Sequence, residues 1–181
     1  MDTTPSAYKV IGKNRYREVS GLFFEDFTVG DVFEHRPGRT VLEVDNTYIT
    51  LLTMNSMPLH FDWNYASRTE FKRPLMNSLV TIAIVTGMSV HSISQNAVAN
   101  LGWDEVRMPN PVFAGDTLYA ETKVLEKRES SSRPGQGIVK VHTIGTKVDG
   151  QTHKSGIVVI EFDRTVLVYK RGHGPHEEAG Y

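Results

Sequence analysis

The chain has 181 residues, of which 20 are Lys or Arg and 21 are Asp or Glu, giving a formal net charge of −1 at pH 7. That balance offers no net positive charge to draw nucleic acid or an anionic membrane. There is no cysteine, which excludes disulfides and thiolate chemistry. The length suits one domain with a sizeable core.

In chain order, residues 1–20 are polar, with Lys9, Lys13, Arg15 and Arg17, and read as an N-terminal extension or covering arm. Met1-Asp-Thr-Thr-Pro-Ser lacks the basic-then-apolar order of a signal peptide, so a cytoplasmic protein is expected. The ordered domain is expected over 21–172, beginning near Phe23-Phe24-Glu25-Asp26-Phe27. Short strands are predicted at Val32–His35 and Thr40–Val44, around Pro37-Gly38. Asp45 is a good N-cap for a helix through Thr53 that places Val44, Tyr48, Leu51 and Leu52 on one face.

A polar loop follows, Asn55-Ser-Met-Pro-Leu-His60-Phe-Asp62, and Asp62 can cap a short helix over Trp63–Thr69. From Pro74 to Trp103 there is no Asp, Glu, Lys or Arg. Leu79–Val90 is apolar nearly all round, which predicts a buried helix. Asn77 or Ser78 caps it, and it is expected to run to about Asn100, with Gly102 as its stop. Ser89, His91, Ser92, Ser94, Gln95 and Asn96 crowd the second half and argue against a membrane span.

The remainder is strand-like: Thr117–Glu129, Ile138–Val148 and Lys154–Lys170. Asp149-Gly150 is a two-residue hairpin signal. Residues 173–181 read as a disordered polar tail. The expected architecture is α+β: a curved antiparallel sheet wrapped around a long central helix, because only such wrapping buries a helix that is apolar on every side.

Several residues suggest chemistry, each with a plainer alternative. His60 titrates near neutrality and suits acid–base work, yet a lone His is commonly structural. Asp62 is most simply a helix cap, and Asn55 a turn residue. The start of the buried helix at Asn77-Ser78 exposes backbone N–H groups suited to an oxyanion, or is merely capped. Thr86 is a close-packing residue or a substrate contact. Arg68, Lys72 and Arg73 are surface charges, or partners for phosphate or carboxylate.

The run Asn55-x-x-Pro58-Leu59-His60-Phe-Asp62-x-x-Tyr65-Ala66, then Phe71-x-x-Pro74-Leu75, resembles the core motif of MaoC-like (R)-specific enoyl-CoA hydratases. Pro111-Val-Phe-x-Gly115-Asp116-Thr117-Leu118 is similar to that family's second motif. Leu75-Met-Asn77-Ser78, Met88-Ser-Val90 and Ser94–Trp103 look most like the mesaconyl-CoA or itaconyl-CoA hydratase branch. The resemblance implies a hot-dog fold, a CoA thioester substrate and a homodimer or higher assembly. It also implies catalysis without metal or organic cofactor, CoA being part of the substrate.

By position, His60 matches the catalytic His. Ser78 falls where a backbone N–H holds the thioester oxygen, Thr86 where some members carry a Ser, and Asn77 where a His is frequent. Asn55 replaces the catalytic Asp, and an amide orients water without taking its proton. The expected function is reversible hydration of a short 2-enoyl-CoA. The alternatives are an acyl-CoA-binding subunit without catalysis and a hot-dog thioesterase. Arg68, Lys72 and Arg73 are the candidates for an acyl carboxylate.

Overall fold

The structure is a computed structural model that describes residues 7–176 and 178–180. A five-stranded antiparallel sheet has the order β3-β5-β6-β7-β4. Its strands are β3 (Val32–Thr40), β4 (Ala97–Arg107), β5 (Thr117–Glu129), β6 (Gln136–Val148) and β7 (Ile157–Tyr169). Ahead of it, β1 (Tyr8–Gly12) and β2 (Arg15–Glu18) form a separate exposed ribbon within the expected extension.

The helix α3 (Ser78–Ser89) lies across one face of the sheet. Val80 and Val85 pack there with Leu118, Ala120, Ile160 and Phe162. Gly145 sets the closeness of this packing, since a Cβ on it would come within 2.8 Å of Val85. A second cluster, with Phe24, Phe27, Ile93, Val124, Val139 and Val166, fills the other end of the sheet. The α+β hot-dog architecture expected from the sequence is present.

A polar seam joins the two clusters. His35 pairs its Nε2 with Thr122 Oγ at 2.7 Å and its Nδ1 with Ser92 Oγ at 3.2 Å. Thr122 in turn meets Thr143 at 2.9 Å. Burial, with Arg164 and Arg36 nearby, pushes the His35 pKa down to about 4. Arg164 is itself buried and donates to Ser89 Oγ at the end of α3, where the helix dipole presents its negative end. Burial lowers its pKa to about 10.

Four sequence expectations are corrected. The predicted strands at Val32–His35 and Thr40–Val44 are one strand, β3, with an irregular register between His35 and Arg39. The helix α1 spans Glu43–Leu52; Asp45 lies inside it and caps by accepting the Leu42 N–H at 2.8 Å. The long helix stops at Ser89, passes through a π turn over Val90–Ser94 and gives way to β4, where Gly102 pairs with Thr165. Asp149-Gly150 is not a two-residue hairpin: Asp149 instead collects the N–H groups of Gln151 and Thr152 in a longer loop.

A further difference concerns burial. Within this chain α3 is not covered on every side, because Leu79, Ala83, Gly87 and Val90 form an exposed stripe. After β7, within the expected tail, His176 sets its ring edge-on to Phe23 and Tyr169. Residues 1–6, 177 and 181 lie outside the described residues.

Candidate active site

The site is built on an inverted helix. In α1, Asn46 and Thr50 are buried, while Val44, Tyr48, Leu51 and Leu52 are each more than 60% exposed. The apolar face of the helix therefore points outward, and the polar residues one turn apart point in. A buried polar group must find partners. Asn46 finds three: Nδ2 donates to His60 O at 2.7 Å and Leu75 O at 2.9 Å, and Oδ1 accepts the Asn77 N–H at 2.8 Å.

His60 ends a 3-10 turn begun by Pro58, whose fixed φ suits the first helical position. Its Nδ1 lies 2.9 Å from Leu75 O. A carbonyl only accepts, so Nδ1 carries a proton, and in the neutral ring the lone pair is on Nε2. The ring borders a cleft of about 90 Å³ that Asn46, Trp63, Arg73 and Ala114 also line. A larger open groove of about 1120 Å³ runs between α1, β3 and the bare stripe of α3, and His60 does not border it.

The first turn of α3 resolves which amide is free. Leu75 N–H donates to Leu59 O, Met76 N–H to Val112 O, and Asn77 N–H to Asn46. Leu79 N–H donates to Asn77 Oδ1, and Val80 and Thr81 N–H to Asn77 O. Among the described residues, Ser78 N–H alone in this run has no acceptor. An exposed N–H at the positive end of a helix is a ready site for a developing oxyanion.

The segment from Pro111 to Asp116 braces this arrangement from behind. Asp116 Oδ2 accepts the Phe113 N–H at 3.0 Å and the Lys147 ammonium at 2.7 Å, both side chains being buried. Its Oδ1 accepts the Gly150 N–H at 2.9 Å, and Lys147 also donates to Pro111 O at 2.8 Å. Gly150 is required here, since a Cβ would meet Gly115 O at 2.4 Å. Phe113, fixed by this pair, carries the Arg73 guanidinium over its ring.

The sequence candidates divide accordingly. His60 and Arg73 border one cleft with Asn46, whose Oδ1 holds the N–H of Asn77, the residue before Ser78; Ser78 itself does not line that cleft. Asn55 makes a turn, its Oδ1 accepting the Met57 N–H at 2.9 Å. Asp62 caps α2 (Trp63–Ala66) through the Tyr65 N–H, as its plainer reading expected, although α2 is shorter than Trp63–Thr69. Asn77 caps α3 and spends its amide on Thr50 Oγ, so its side chain is committed within the protein.

Thr86 lies eight residues along α3 from Ser78, about 12 Å by helical rise, with its hydroxyl buried and unpaired among the described residues. Arg68 turns back to Asn64, and Lys72 sits exposed in a turn at φ 61°; neither borders the His60 cleft. Sequence reasoning missed Asn46, Thr50 and Lys147. Asn46 and Thr50 carried a usable signal, two hydrogen-bonding side chains at i and i+4 opposite an apolar face. Among the described residues no group of three or more His, Asp or Glu is placed to hold a metal ion.

A histidine on a short turn, an amide left open at the start of a central helix, and an antiparallel sheet around that helix define a hot-dog protein of the MaoC-like hydratase class. A family model described as mesaconyl-CoA hydratase matches residues 2–179, and the chain belongs to that family.

The chain is 34% identical over 152 residues to a mesaconyl-CoA hydratase of Cereibacter sphaeroides, covering 84% of this chain and 42% of that protein. It is 28% identical over 179 residues to a β-methylmalyl-CoA dehydratase of Chloroflexus aurantiacus, covering 94% of this chain and 51% of that one. A solved structure of a putative MaoC domain protein dehydratase from Chloroflexus aurantiacus matches with a TM-score of 0.75 at 35% identity, over 86% of this chain and 42% of that chain. The chain thus spans about half the length of the curated relatives it matches.

Proposed function

We propose that the chain is a hydratase that reversibly adds water to a short 2-enoyl-CoA, of the branched dicarboxylic kind that the relatives' names indicate. The observation that carries this reading is the N–H of Ser78, without an acceptor among the described residues, next in the chain to the Asn77 N–H that Asn46 holds while it also binds the carbonyl of His60. In the forward direction His60 Nε2 takes a proton from water as its oxygen bonds to the β-carbon. The thioester oxygen gains the displaced electron pair as an enolate, and the Ser78 N–H stabilises it. His60 then returns the proton to the α-carbon, so water is added across the double bond. Asn55 orients the water through its remaining amide group. No cofactor beyond the substrate's CoA takes part, and the cytoplasm, where acyl-CoA is made and used, is the proposed setting.

A second hot-dog unit completes the enzyme, and for this chain that unit is another copy of itself. The bare stripe of α3 and the outward apolar face of α1 support this.

The test is turnover. Purified protein given mesaconyl-, itaconyl- and crotonyl-CoA is expected to consume enoyl-thioester absorbance without releasing free thiol. Thiol release would select a thioesterase. Tight binding of all three without turnover would select an acyl-CoA-binding subunit, the outcome that Asn55 in place of a carboxylate favours.

A further inference from the structure

Asn46 belongs to no motif, yet it touches three segments that the reaction needs in register. Its Nδ2 donates to the carbonyl of His60 itself and to Leu75 O, the same carbonyl that fixes the His60 tautomer. Its Oδ1 takes the Asn77 N–H, the amide immediately before Ser78. Asn46 is 3% exposed, so none of these bonds competes with water. Neither lone hydrogen-bond donors nor lone acceptors can replace it: the pattern requires two donors and one acceptor on a planar group, which a carboxamide supplies and a carboxylate or hydroxyl does not.

Resting on the hydratase reading above, we propose that Asn46 is the positioning residue that sets the general base and the oxyanion donor relative to each other. Without it, Leu75 O and the His60 loop lose a shared anchor, and the imidazole is free to turn or to exchange tautomers. The Asn77 N–H also becomes a second open donor beside Ser78, so the oxyanion site loses its single direction. Misplacement of this kind acts on the transition state more than on substrate binding, because the polar atoms of Asn46 are bonded within the protein.

The experiment uses Asn46→Asp in the full chain. This variant keeps the shape and the acceptor for Asn77 but cannot donate to the two carbonyls. The kcat for the preferred enoyl-CoA is expected to fall about 10- to 100-fold while KM stays within about threefold. In ring-nitrogen NMR, with the His60 signal assigned by its loss in His60→Gln, the unmodified protein is expected to show a single Nδ1–H tautomer and the variant a mixture. Should the aspartate variant not fold, Asn46→Ser, smaller and with one donor, carries the same two readouts. An unchanged kcat, or a lower melting temperature with the His60 signature intact, would overturn the proposal. If the unmodified chain turns over no enoyl-CoA, the hydratase reading fails and the NMR comparison alone decides whether Asn46 positions His60.

Discussion

The guanidinium of Arg73 lies over the face of the Phe113 ring, 3.9 Å from its centre, beside the cleft that His60 borders. Of the three cations proposed from sequence for an acyl carboxylate, it is the one placed to reach such a group. Arg68 is engaged with Asn64, and Lys72 faces solvent. Arg73→Met keeps the apolar stem over Phe113 and removes the charge. It is expected to lower kcat/KM for mesaconyl-CoA about 10- to 100-fold more than for crotonyl-CoA, the range of a charged hydrogen bond. Steady-state kinetics on both substrates check this, and a parallel loss would instead assign Arg73 to the CoA phosphates.

For His60 the expected loss is larger and indifferent to substrate. His60→Ala should reduce kcat by about 10²-fold or more on every enoyl-CoA that the protein accepts, with the cooperative melt retained. Asn55→Ala should cost less, because its Oδ1 serves a turn and only its amide group remains for water. Comparison of kcat for the two variants checks the assignment; equal and small losses would remove this loop from the mechanism.

The sequence made the polar loop around His60 and the three long strands β5, β6 and β7 legible, because motif spacing and alternating strands are local signals. It failed where tertiary packing overrode pattern. The apolar face of α1 bearing Val44, Tyr48, Leu51 and Leu52 is exposed, and amphipathicity alone cannot say which side of a helix meets the core. The end of α3 was invisible for a related reason. Ala97–Arg107 has no breaker at its start, and only pairing with β7 makes it a strand. Asn46 was hidden because a single asparagine inside a helix reads as a surface residue until its partners, 14 to 31 positions away, are in place.

Asp116 and Lys147 form a pair whose loss should be felt as stability. Asp116→Ala leaves the Lys147 ammonium, in a site only 4% exposed, with Asp149 Oδ2 at 3.6 Å as its remaining carboxylate, and strips the acceptor from Phe113 and Gly150 N–H. Removing one partner of a buried ion pair costs about 3–5 kcal/mol. Chemical denaturation of the variant should show a deficit in that range, whereas a change under 1 kcal/mol, on the order of an exposed pair, would contradict the buried bracing described here.

His35 predicts the response to acid. Its folded pKa of about 4 lies below the ordinary 6.5, so the unfolded chain binds the extra proton between those values. Its contribution is complete above pH 6.5 and is lost as the pH falls toward about 4. Burial is the first cause, with Arg164 and then Arg36 adding repulsion to the imidazolium. Denaturation curves across this window should slope downward into acid for the native chain. They should be flatter for His35→Gln, which keeps a polar group facing Thr122 without a titrating proton.

The inverted face of α1 has a practical consequence for anyone improving the yield of the isolated chain. Val44, Tyr48, Leu51 and Leu52 are the first positions that a solubility screen would replace with charge, and the fold would tolerate it, since none of the four is buried. Yet the opposite side of the same ten residues holds Asn46 and Thr50 against the site. On the dimer proposed above, a better-behaved monomer obtained in this way would have traded away the surface of the second unit's contact, and with it the outer support of the helix that holds Asn46.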